Sequence, residues 1–447
     1  MKIFDVIHGY QPFARDLMSP WVKSNLDDVF LPTSAAMADG LIRRNVQLQG
    51  WTINEWLNAS PTIRRKAQDV LNLLFRAKES DNIELGFSAY SHAFLPLLSE
   101  ELMYAQMRAD REVIEEYLGP PSFFWSPEAA YNQRLLEVLS LRFPNTIAVL
   151  PTGCLNNPSS DFGLLKTNTI SNQRVAVGST LLKDFLMNGS VYHRPVYAPK
   201  KLDWTKAANS MREASALLHT IDCVDKNEKD FHVVIRDWEN GESRDALVSI
   251  GKRKEIGAFL EMKDKIDFKL LSEVKYVRHI GDLSNCQSSC WEPLATEKNP
   301  FPYWTPKYVR GAKRDVRESW LALINLYDEV FRKIIFGGED WRKESLNKRL
   351  SQVDEALNQK EFFKMFIETS PTLLSCLPWH CFARDEWERF PGFPIKLTER
   401  LLKPLTNKLI SYGKKEAGLK LTSEERKLHS EAKKLISAIK RLPFHNP

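Results

Sequence analysis

Near its start the sequence reads KIFDVI, Lys2 to Ile7, and continues directly into polar and turn residues, HGYQP, His8 to Pro12. A short apolar run that ends at turn residues is typical of a buried β-strand. His8 follows the last residue of this run. The stretch therefore predicts the first strand of a sheet, with a polar side chain suited to chemistry at its carboxyl end.

The same arrangement recurs through the first two thirds of the chain. Apolar runs alternate with helical patterns, such as Asn132 to Phe143 and Asp203 to Ile221, and this alternation is typical of a parallel sheet or barrel. Polar or acidic residues follow several runs, and the loops after the strands carry the chemistry of such barrels. The further predicted strands are NIELGFSAY (82–90), SFFW (122–125), NTIAVLP (145–151), DFHVVIRDWE (230–239) and VKYVRHI (274–280).

From about Lys307 the pattern changes to amphipathic helices. RDVRESWLALINLYDEVFRKIIF, 314–336, has helical apolar spacing and ends before two glycines. LTSEERKLHSEAKKLISAIKRL, 421–442, is a second such helix, for which Thr422 and Glu425 predict a capping box. We therefore expect a barrel domain over residues 1–306 and an α-helical domain over residues 307–447.

The composition is that of a globular protein, with 43% hydrophobic and 27% charged residues. No window approaches the ~20 consecutive apolar residues that span a bilayer, and no early stretch reads as a signal peptide. We therefore expect a cytoplasmic protein without a membrane partner. The basic residues concentrate from Lys396 onward, with 13 Lys and Arg against 5 Asp and Glu. We read this tail as a solvated helix face, and no nucleic-acid motif accompanies it.

Six cysteines are present: Cys154, Cys223, Cys286, Cys290, Cys376 and Cys381. The spacing within the last two pairs is looser than in zinc ribbons, so we expect reduced thiols. The sequence thus predicts neither a metal site nor a cofactor.

Two carboxylate sites stand out. Glu128 follows an aromatic cluster in FFWSPEAAY, 123–131, and Asp237 ends the apolar part of HVVIRDWENGE, 232–242. Cleavage of a glycosidic bond uses two carboxyl groups, and aromatic rings beside them can stack on the apolar faces of sugars. The alternative is structural: Glu128 would open a helix after Pro127, and Asp237 would be a turn residue.

Several segments together resemble glycoside hydrolase family 57. HGYQP, 8–12, is similar to the first family motif, except that Tyr10 stands where the family usually has a second His. IELGFSAYSHAFLPLL, 83–98, FFWSPEAAY and VVIRDWENGE, 233–242, resemble the second, third and fourth motifs, and SSCWEP, 288–293, is similar to a Trp-bearing fifth region.

This resemblance implies an α/β fold, an incomplete (β/α)7 TIM-like barrel with a C-terminal helical region. It implies a retaining enzyme on α-glucans, with Glu128 as nucleophile and Asp237 as general acid/base. Hydrolases and glucan-transferring enzymes share this chemistry. The residues predicted to bind the oligo- or polysaccharide are His8, Tyr10, Gln11, Glu84, His92, Trp125, Trp238, Glu239, Trp291 and Trp304.

Other interpretations remain open at the level of sequence. The histidines and tryptophans can equally be core side chains. The chain can also be a metal-dependent deacetylase on a related barrel, although no His-x-x-x-His pair exists. A third possibility is a glucan-binding relative without activity. The sequence does not indicate an oligomeric state.

Overall fold

The computed structural model describes most of the chain. The described residues are 2–11, 19–151, 154, 162–166, 172–178, 231–238, 267–274, 279–282, 287–290, 297–306, 309–337, 341–375, 399 and 403–442. Packing divides the chain into two units that alternate along the sequence. The barrel unit comprises 1–87, 111–125 and 145–285, and the helical unit comprises 88–110, 126–144 and 286–447. The division into domains at residue 306 stays a prediction.

All described strands lie in the barrel unit. They are β1 (Lys2–Gly9), β2 (Arg44–Leu48), β3 (Ile83–Phe87), β4 (Phe123–Trp125), β5 (Ile147–Pro151), β6 (Phe162–Lys166), β7 (Asn172–Gly178), β8 (Phe231–Asp237), β9 (Asp267–Phe268) and β10 (His279–Asp282).

The strand order confirms the predicted α/β barrel-like fold. Parallel neighbours run β7, β5, β4, β3, β2, β1, β8, and β7 also pairs in parallel with β8 where Gly178 lies opposite Val233. β6 is antiparallel to β7, β10 is parallel to β6, and β9 is parallel to β1. Every residue of β2, β3 and β5 is buried, as expected for parallel strands covered on both faces.

Strands β1 and β2 are joined by side chains as well as by backbone pairing. The Arg44 Nε lies 2.9 Å from the Asp5 Oδ2, and both side chains are almost fully buried. Between β3 and β4 the packing leaves no room for a side chain at Gly86, because a Cβ there would lie 2.2 Å from the ring of Phe123. The barrel is thus held by specific contacts between neighbouring strands.

The described helices surround these strands or form the helical unit. They are α1 (Ser19–Asn25), α2 (Leu31–Ala38), α3 (Gly50–Leu57), α4 (Pro61–Glu79), α5 (Glu100–Tyr117), α6 (Gln133–Arg142), α7 (Gly311–Phe336), α8 (Leu346–Leu357), α9 (Lys360–Thr369), α10 (Lys403–Lys415) and α11 (Thr422–Lys440). Short 3₁₀ turns at Leu95–Leu97, Pro127–Ala129, Leu271–Glu273, Trp341–Lys343 and Ser370–Leu373 and a π-helical turn at Leu26–Phe30 complete them.

The two predicted C-terminal helices are present as α7 and α11. Helix α7 ends at Gly337, whose left-handed φ of 67° ends the helix as glycine commonly does. The predicted capping box of α11 is wrong. The N-cap is Leu421 without a side-chain hydrogen bond, and Glu425 instead accepts a hydrogen bond from Lys414. Lys414 of the neighbouring helix α10 thus binds the Glu425 carboxylate that a capping box would have used.

The strand predictions differ in outcome. The runs at 82–90, 122–125, 145–151 and 230–239 correspond to β3, β4, β5 and β8. In the predicted run 274–280, strand β10 begins only at His279, and residues 275–278 lie outside the described residues, as does the predicted helix 203–221. The sequence reading missed β2, β6, β7 and β9.

Candidate active site

His8 lies at the carboxyl end of β1 and is held by the neighbouring strand. It is paired in register with Gln47 of β2, and its Nδ1 hydrogen-bonds with the Gln47 Oε1. The imidazole also stacks on Trp125, with ring centroids 5.6 Å apart and planes 13° apart. Burial lowers the pKa of His8 to about 4. The ring is therefore neutral near pH 7, with its proton on Nδ1, because the Gln47 oxygen can only accept.

Tyr10 and Gln11 follow β1 and are buried. The Gln11 N–H donates to the Thr52 Oγ1 over 2.8 Å, and the Gln11 Oε1 accepts from the Trp56 Nε1 over 3.0 Å. Tyr10 lies beside Trp51, with ring centroids 6.4 Å apart. These contacts fix the backbone and the amide oxygen that follow the first strand.

Two buried amide nitrogens near this strand end have no hydrogen-bond partner among the described residues. They are the Nε2 atoms of Gln11 and Gln47, and both side chains are fully buried. Buried N–H groups are normally paired. A buried donor of this kind can be paired by an ordered water or by an oxygen of a ligand.

Strand β8 brings the backbone of Asp237 beside that of His8. The two residues are paired in register across parallel strands, and the following Trp238 N–H donates to the His8 carbonyl over 2.6 Å. The side chain of Asp237 and all of Glu239 and Trp291 lie outside the described residues. The paired backbone nevertheless fixes Asp237 at the strand end that bears His8.

Trp238 has the contacts of a core side chain. Its indole is fully buried, donates from Nε1 to the Thr33 Oγ1 over 2.8 Å and packs on Phe30. Glu84 lies near the amino end of β3, where its carboxylate accepts hydrogen bonds from Ser122 and from the Ser272 N–H. Both arrangements are structural, and a role for either residue in substrate binding stays a prediction.

Glu128 lies in the helical unit, in the 3₁₀ turn that follows β4. Its backbone has φ 58° and ψ 18°, and the backbone of His92 has φ 54°. Side chains other than glycine seldom adopt this left-handed conformation, which costs of order 1 kcal/mol or more and occurs often at functional sites. The Glu128 side chain is 13% exposed. The local fold thus holds Glu128 on a strained backbone, with part of its side chain exposed.

Ser375 joins these two residues. Its Oγ lies 3.3 Å from the Glu128 Oε1, to which it donates, and 2.7 Å from the His92 Nδ1. The His92 Nδ1 itself is 3.9 Å from the same carboxylate oxygen. We call these three residues the Glu128 cluster. It brings together the second and third motifs and a serine from the C-terminal third of the chain.

Trp304 contacts the Glu128 cluster through the backbone of Ser375. Its indole is fully buried, stacks on Phe94 with ring centroids 4.3 Å apart and donates from Nε1 to the Ser375 carbonyl over 2.9 Å. These contacts hold the serine and are those of a core side chain. Gln47 and Ser375 were not identified from the sequence, because each acquires its neighbour only through the fold.

Within the described ranges, no group of three or more His, Cys, Asp and Glu side chains is arranged to hold a metal ion. No helix in the described part of the chain is long and apolar enough to cross a bilayer. Among the described residues, Cys154 and Cys290 are buried thiols that take part in no disulfide bond.

Comparison with known proteins supports the resemblance that the motifs indicated. The sequence model of glycosyl hydrolase family 57 matches residues 8–148, which contain the first three motifs. This match confirms the resemblance to that family. A search of curated protein sequences finds no significant match.

Solved structures confirm the fold over nearly the whole chain. A family 57 branching enzyme from Thermococcus kodakaraensis is similar with a TM-score of 0.62 and 13% identity, over 98% of this chain and 95% of that one. For an α-amylase from Thermotoga maritima the values are 0.60 and 14%, over 99% and 98%. A 4-α-glucanotransferase from Thermococcus litoralis gives 0.55 and 15%, over 90% of this chain and 58% of that one.

Proposed function

We propose that this chain is a retaining enzyme that acts on α-linked glucans through a covalent glycosyl-enzyme, with Glu128 as nucleophile and Asp237 as general acid/base. Both carboxylates lie within residues 1–306, the predicted barrel domain, and the reaction proceeds without a metal or cofactor. The substrate is an oligo- or polysaccharide. The protein acts in the cytoplasm, with no nucleic-acid or membrane partner. The family match and the α-glucan enzymes among the similar structures support this substrate class.

The geometry of Glu128 is the observation that carries this proposal. A nucleophilic carboxylate must be ionised, fixed in direction and reachable by the sugar. Ser375 donates to Glu128, His92 lies beside it, and part of the Glu128 side chain is exposed. A carboxylate that only began a helix would not require a strained backbone.

The proposed reaction has two steps. In the first, Asp237 donates a proton to the glycosidic oxygen while Glu128 bonds to the anomeric carbon and the leaving chain departs. In the second, Asp237 takes a proton from the incoming hydroxyl group, which releases the sugar with its original configuration. Retention requires the two carboxyl groups ~5–5.5 Å apart, and this separation is a prediction for Glu128 and Asp237.

The remaining motif residues are proposed to bind sugar hydroxyls. Neutral His8, with its proton fixed on Nδ1, presents Nε2 as an acceptor, and Gln11 supplies a buried amide donor. Tyr10 offers its phenol hydroxyl, and His92 binds the sugar beside the nucleophile. Trp125 stacks on the His8 ring and holds its orientation. Glu239 and Trp291 stay as predicted substrate contacts.

The first experiment incubates the wild-type protein with maltooligosaccharides and follows products by chromatography. Glu128→Gln and Asp237→Asn should each lower turnover by at least about a thousandfold, since each removes a group that the reaction requires. Glu137→Gln is the matched control. This half-buried glutamate lies on α6 of the helical unit and accepts a hydrogen bond from Gln133 of the same helix, so activity should be unchanged.

Chemical rescue separates the two roles. With an α-glycosyl fluoride and azide, Glu128→Ala should yield the β-glycosyl azide, because azide replaces the missing nucleophile with inversion. Asp237→Ala should yield the α-azide, because azide attacks the glycosyl-enzyme without general-base help. Nuclear magnetic resonance of the products distinguishes the two anomers.

The acceptor is read from the same assay. Glucose and shorter chains alone mean that water accepts the glycosyl group, and chains longer than the starting oligomer mean transfer to a sugar hydroxyl. Binding of glucan without any product from the wild-type protein, or full activity in both carboxylate variants, would contradict the proposal.

A further inference from the structure

The serine of the Glu128 cluster has no part in the reaction as written above. Ser375 is fully buried and lies in the C-terminal third of the chain, outside all the family-like motifs. Three further contacts hold its backbone. The Ser375 N–H donates to the His92 carbonyl over 2.9 Å, the Ser375 carbonyl accepts from Trp304, and the preceding Leu374 forms an antiparallel bridge with Ala93. The hydroxyl position is therefore fixed by the backbone that carries it.

The hydrogen-bond directions around the hydroxyl follow from proton counting. An ionised carboxylate can only accept, so the single Ser375 proton points to the Glu128 Oε1 over 3.3 Å. The same hydroxyl lies 2.7 Å from the His92 Nδ1 and must then accept from it. A consistent chain results, from the His92 Nδ1–H through the Ser375 hydroxyl to the carboxylate.

We propose that Ser375 is a positioning residue, which orients the Glu128 carboxylate for attack and fixes the His92 proton on Nδ1. This inference rests on the proposed function, since it assigns Glu128 the role of nucleophile. A single hydroxyl thereby sets the direction of the carboxylate and the tautomer of the neighbouring imidazole. The His92 Nε2 then carries no proton and can accept a hydrogen bond.

The left-handed backbone at both partners supports this role. Glu128 and His92 each occupy a conformation that needs surrounding contacts to persist. Ser375 bonds to both side chains and, through its N–H, to the His92 backbone.

The kinetic test compares Ser375→Ala with Ser370→Ala. Ser370 is an equally buried serine five residues upstream, and its Oγ has no hydrogen-bond partner among the described residues. Loss of a hydrogen bond to a charged group should lower kcat of Ser375→Ala by roughly 10- to 100-fold. KM should stay within about twofold, because the bond acts on the nucleophile rather than on substrate affinity. Ser370→Ala should behave as wild type.

A conservative variant and a spectroscopic measurement complete the test. Ser375→Thr keeps the hydroxyl and should recover most of the lost kcat. In the wild-type protein, ¹⁵N-histidine resonances assigned with His92→Gln should show Nδ1 of His92 protonated. This measurement does not depend on whether Ser375→Ala folds.

The outcomes separate this inference from the proposed function. An active wild type, an inactive Glu128→Gln and a Ser375→Ala variant with the kinetics of Ser370→Ala would overturn the role of Ser375 alone. His92 found as the Nε2–H tautomer would also overturn it. A Glu128→Gln variant as active as the wild type would show that Glu128 is not the nucleophile, and this result would contradict both proposals.

Discussion

His8 and His92 are both buried histidines that follow predicted strands, but the fold holds them in different ways. His8 is part of β1, has an extended backbone, and bonds to Gln47, its register partner on the next strand. His92 lies in a turn with a left-handed backbone and bonds to Ser375, which is 283 residues away in the chain. One side chain is held by regular sheet pairing, and the other by an irregular turn and a distant serine.

The difference indicates where stability and strain lie. Sheet pairing stabilises the His8 region, because backbone hydrogen bonds and facing side chains act together. The Glu128 cluster has no such ladder, and two of its residues carry unfavourable backbone angles. We therefore expect substitution of the Asp5–Arg44 pair between β1 and β2 to change mainly the free energy of unfolding. Substitutions in the Glu128 cluster should change mainly the rate of reaction.

The largest expected effect on stability concerns the buried ion pair between β1 and β2. Asp5→Asn should lower the free energy of unfolding by roughly 3–5 kcal/mol, because Arg44 would keep a buried charge without its carboxylate. Urea denaturation followed by circular dichroism measures this loss. Glu115→Gln is the control, since its pair with Arg111 is more exposed and should contribute less than about 1 kcal/mol.

A double variant sharpens this prediction. Asp5→Leu combined with Arg44→Met removes both charges and should recover much of the stability lost by Asp5→Asn. Equal losses in Asp5→Asn and Glu115→Gln would mean that the β1–β2 pair is no more stabilising than a surface contact. The proposed difference in stability between the His8 region and the Glu128 cluster could then not be attributed to side-chain pairing within the sheet.

The next effect is a pH dependence of stability from His8. Burial lowers its pKa from the ordinary value of 6.5 to about 4. Between these values the unfolded chain binds a proton that the folded chain does not, so stability present at pH 7 is lost as the pH falls from 6.5 to 4. The loss from this group approaches about 3 kcal/mol. In His8→Asn the unfolding free energy should fall less over this range.

Asp328 on α7 acts in the opposite direction and serves as the control. Burial raises its pKa from 3.8 to about 6 despite Arg332, so the folded chain binds the proton more tightly, and stability rises as the pH falls through 6. Asp328→Asn should therefore make the loss on acidification steeper than in the wild type. Identical pH profiles for the wild type and both variants would mean that neither group has a shifted pKa.

The smallest effect tests the strain at Glu128. Glu128→Gly should be more stable than Glu128→Ala by about 1 kcal/mol, because glycine adopts a φ of 58° without penalty and alanine does not. Both variants lack the carboxylate, so the difference between their free energies of unfolding reports the backbone strain at this position. Thermal unfolding of the two proteins measures it.

The matched pair for this comparison lies on helix α6. Glu137→Gly should be less stable than Glu137→Ala by about 1 kcal/mol, since glycine is unfavourable inside a helix. The sign of the Gly–Ala difference should thus reverse between positions 128 and 137. The same sign at both positions would show that Glu128 is not strained in solution.

The sequence predicted those parts of the barrel whose strands are apolar. β1, β3, β4, β5 and β8 follow from runs such as KIFDVI and NTIAVLP. β2 was missed because Arg44, Asn45 and Gln47 make it look like a polar loop. Those polar groups are compensated by partners on other segments, namely Asp5, Leu271 and His8, and no local pattern reveals such compensation.

The candidate site was predictable only where resemblance to a family supplied the residues. Glu128, His92 and His8 were identified through motifs, and each has at least one described hydrogen bond. Ser375 lies in no motif, and no regular spacing connects it to Glu128. Its position became evident only when the fold placed it 3.3 Å from the carboxylate.

The alternation of the two units along the chain has a consequence for synthesis and truncation. Segments 88–110 and 126–144 emerge from the ribosome early, yet they pack with a unit that continues to residue 447. The rest of this unit begins only at residue 286, after residues 145–285 of the barrel unit. Both segments are therefore synthesised well before most of the residues with which they pack. A fragment that stops at residue 306 would retain the described strands but would lack Ser375 and helices α7 to α11. Both segments would lose these packing partners, so the shortened protein should be prone to aggregation and could not form the hydrogen bond from Ser375 to Glu128.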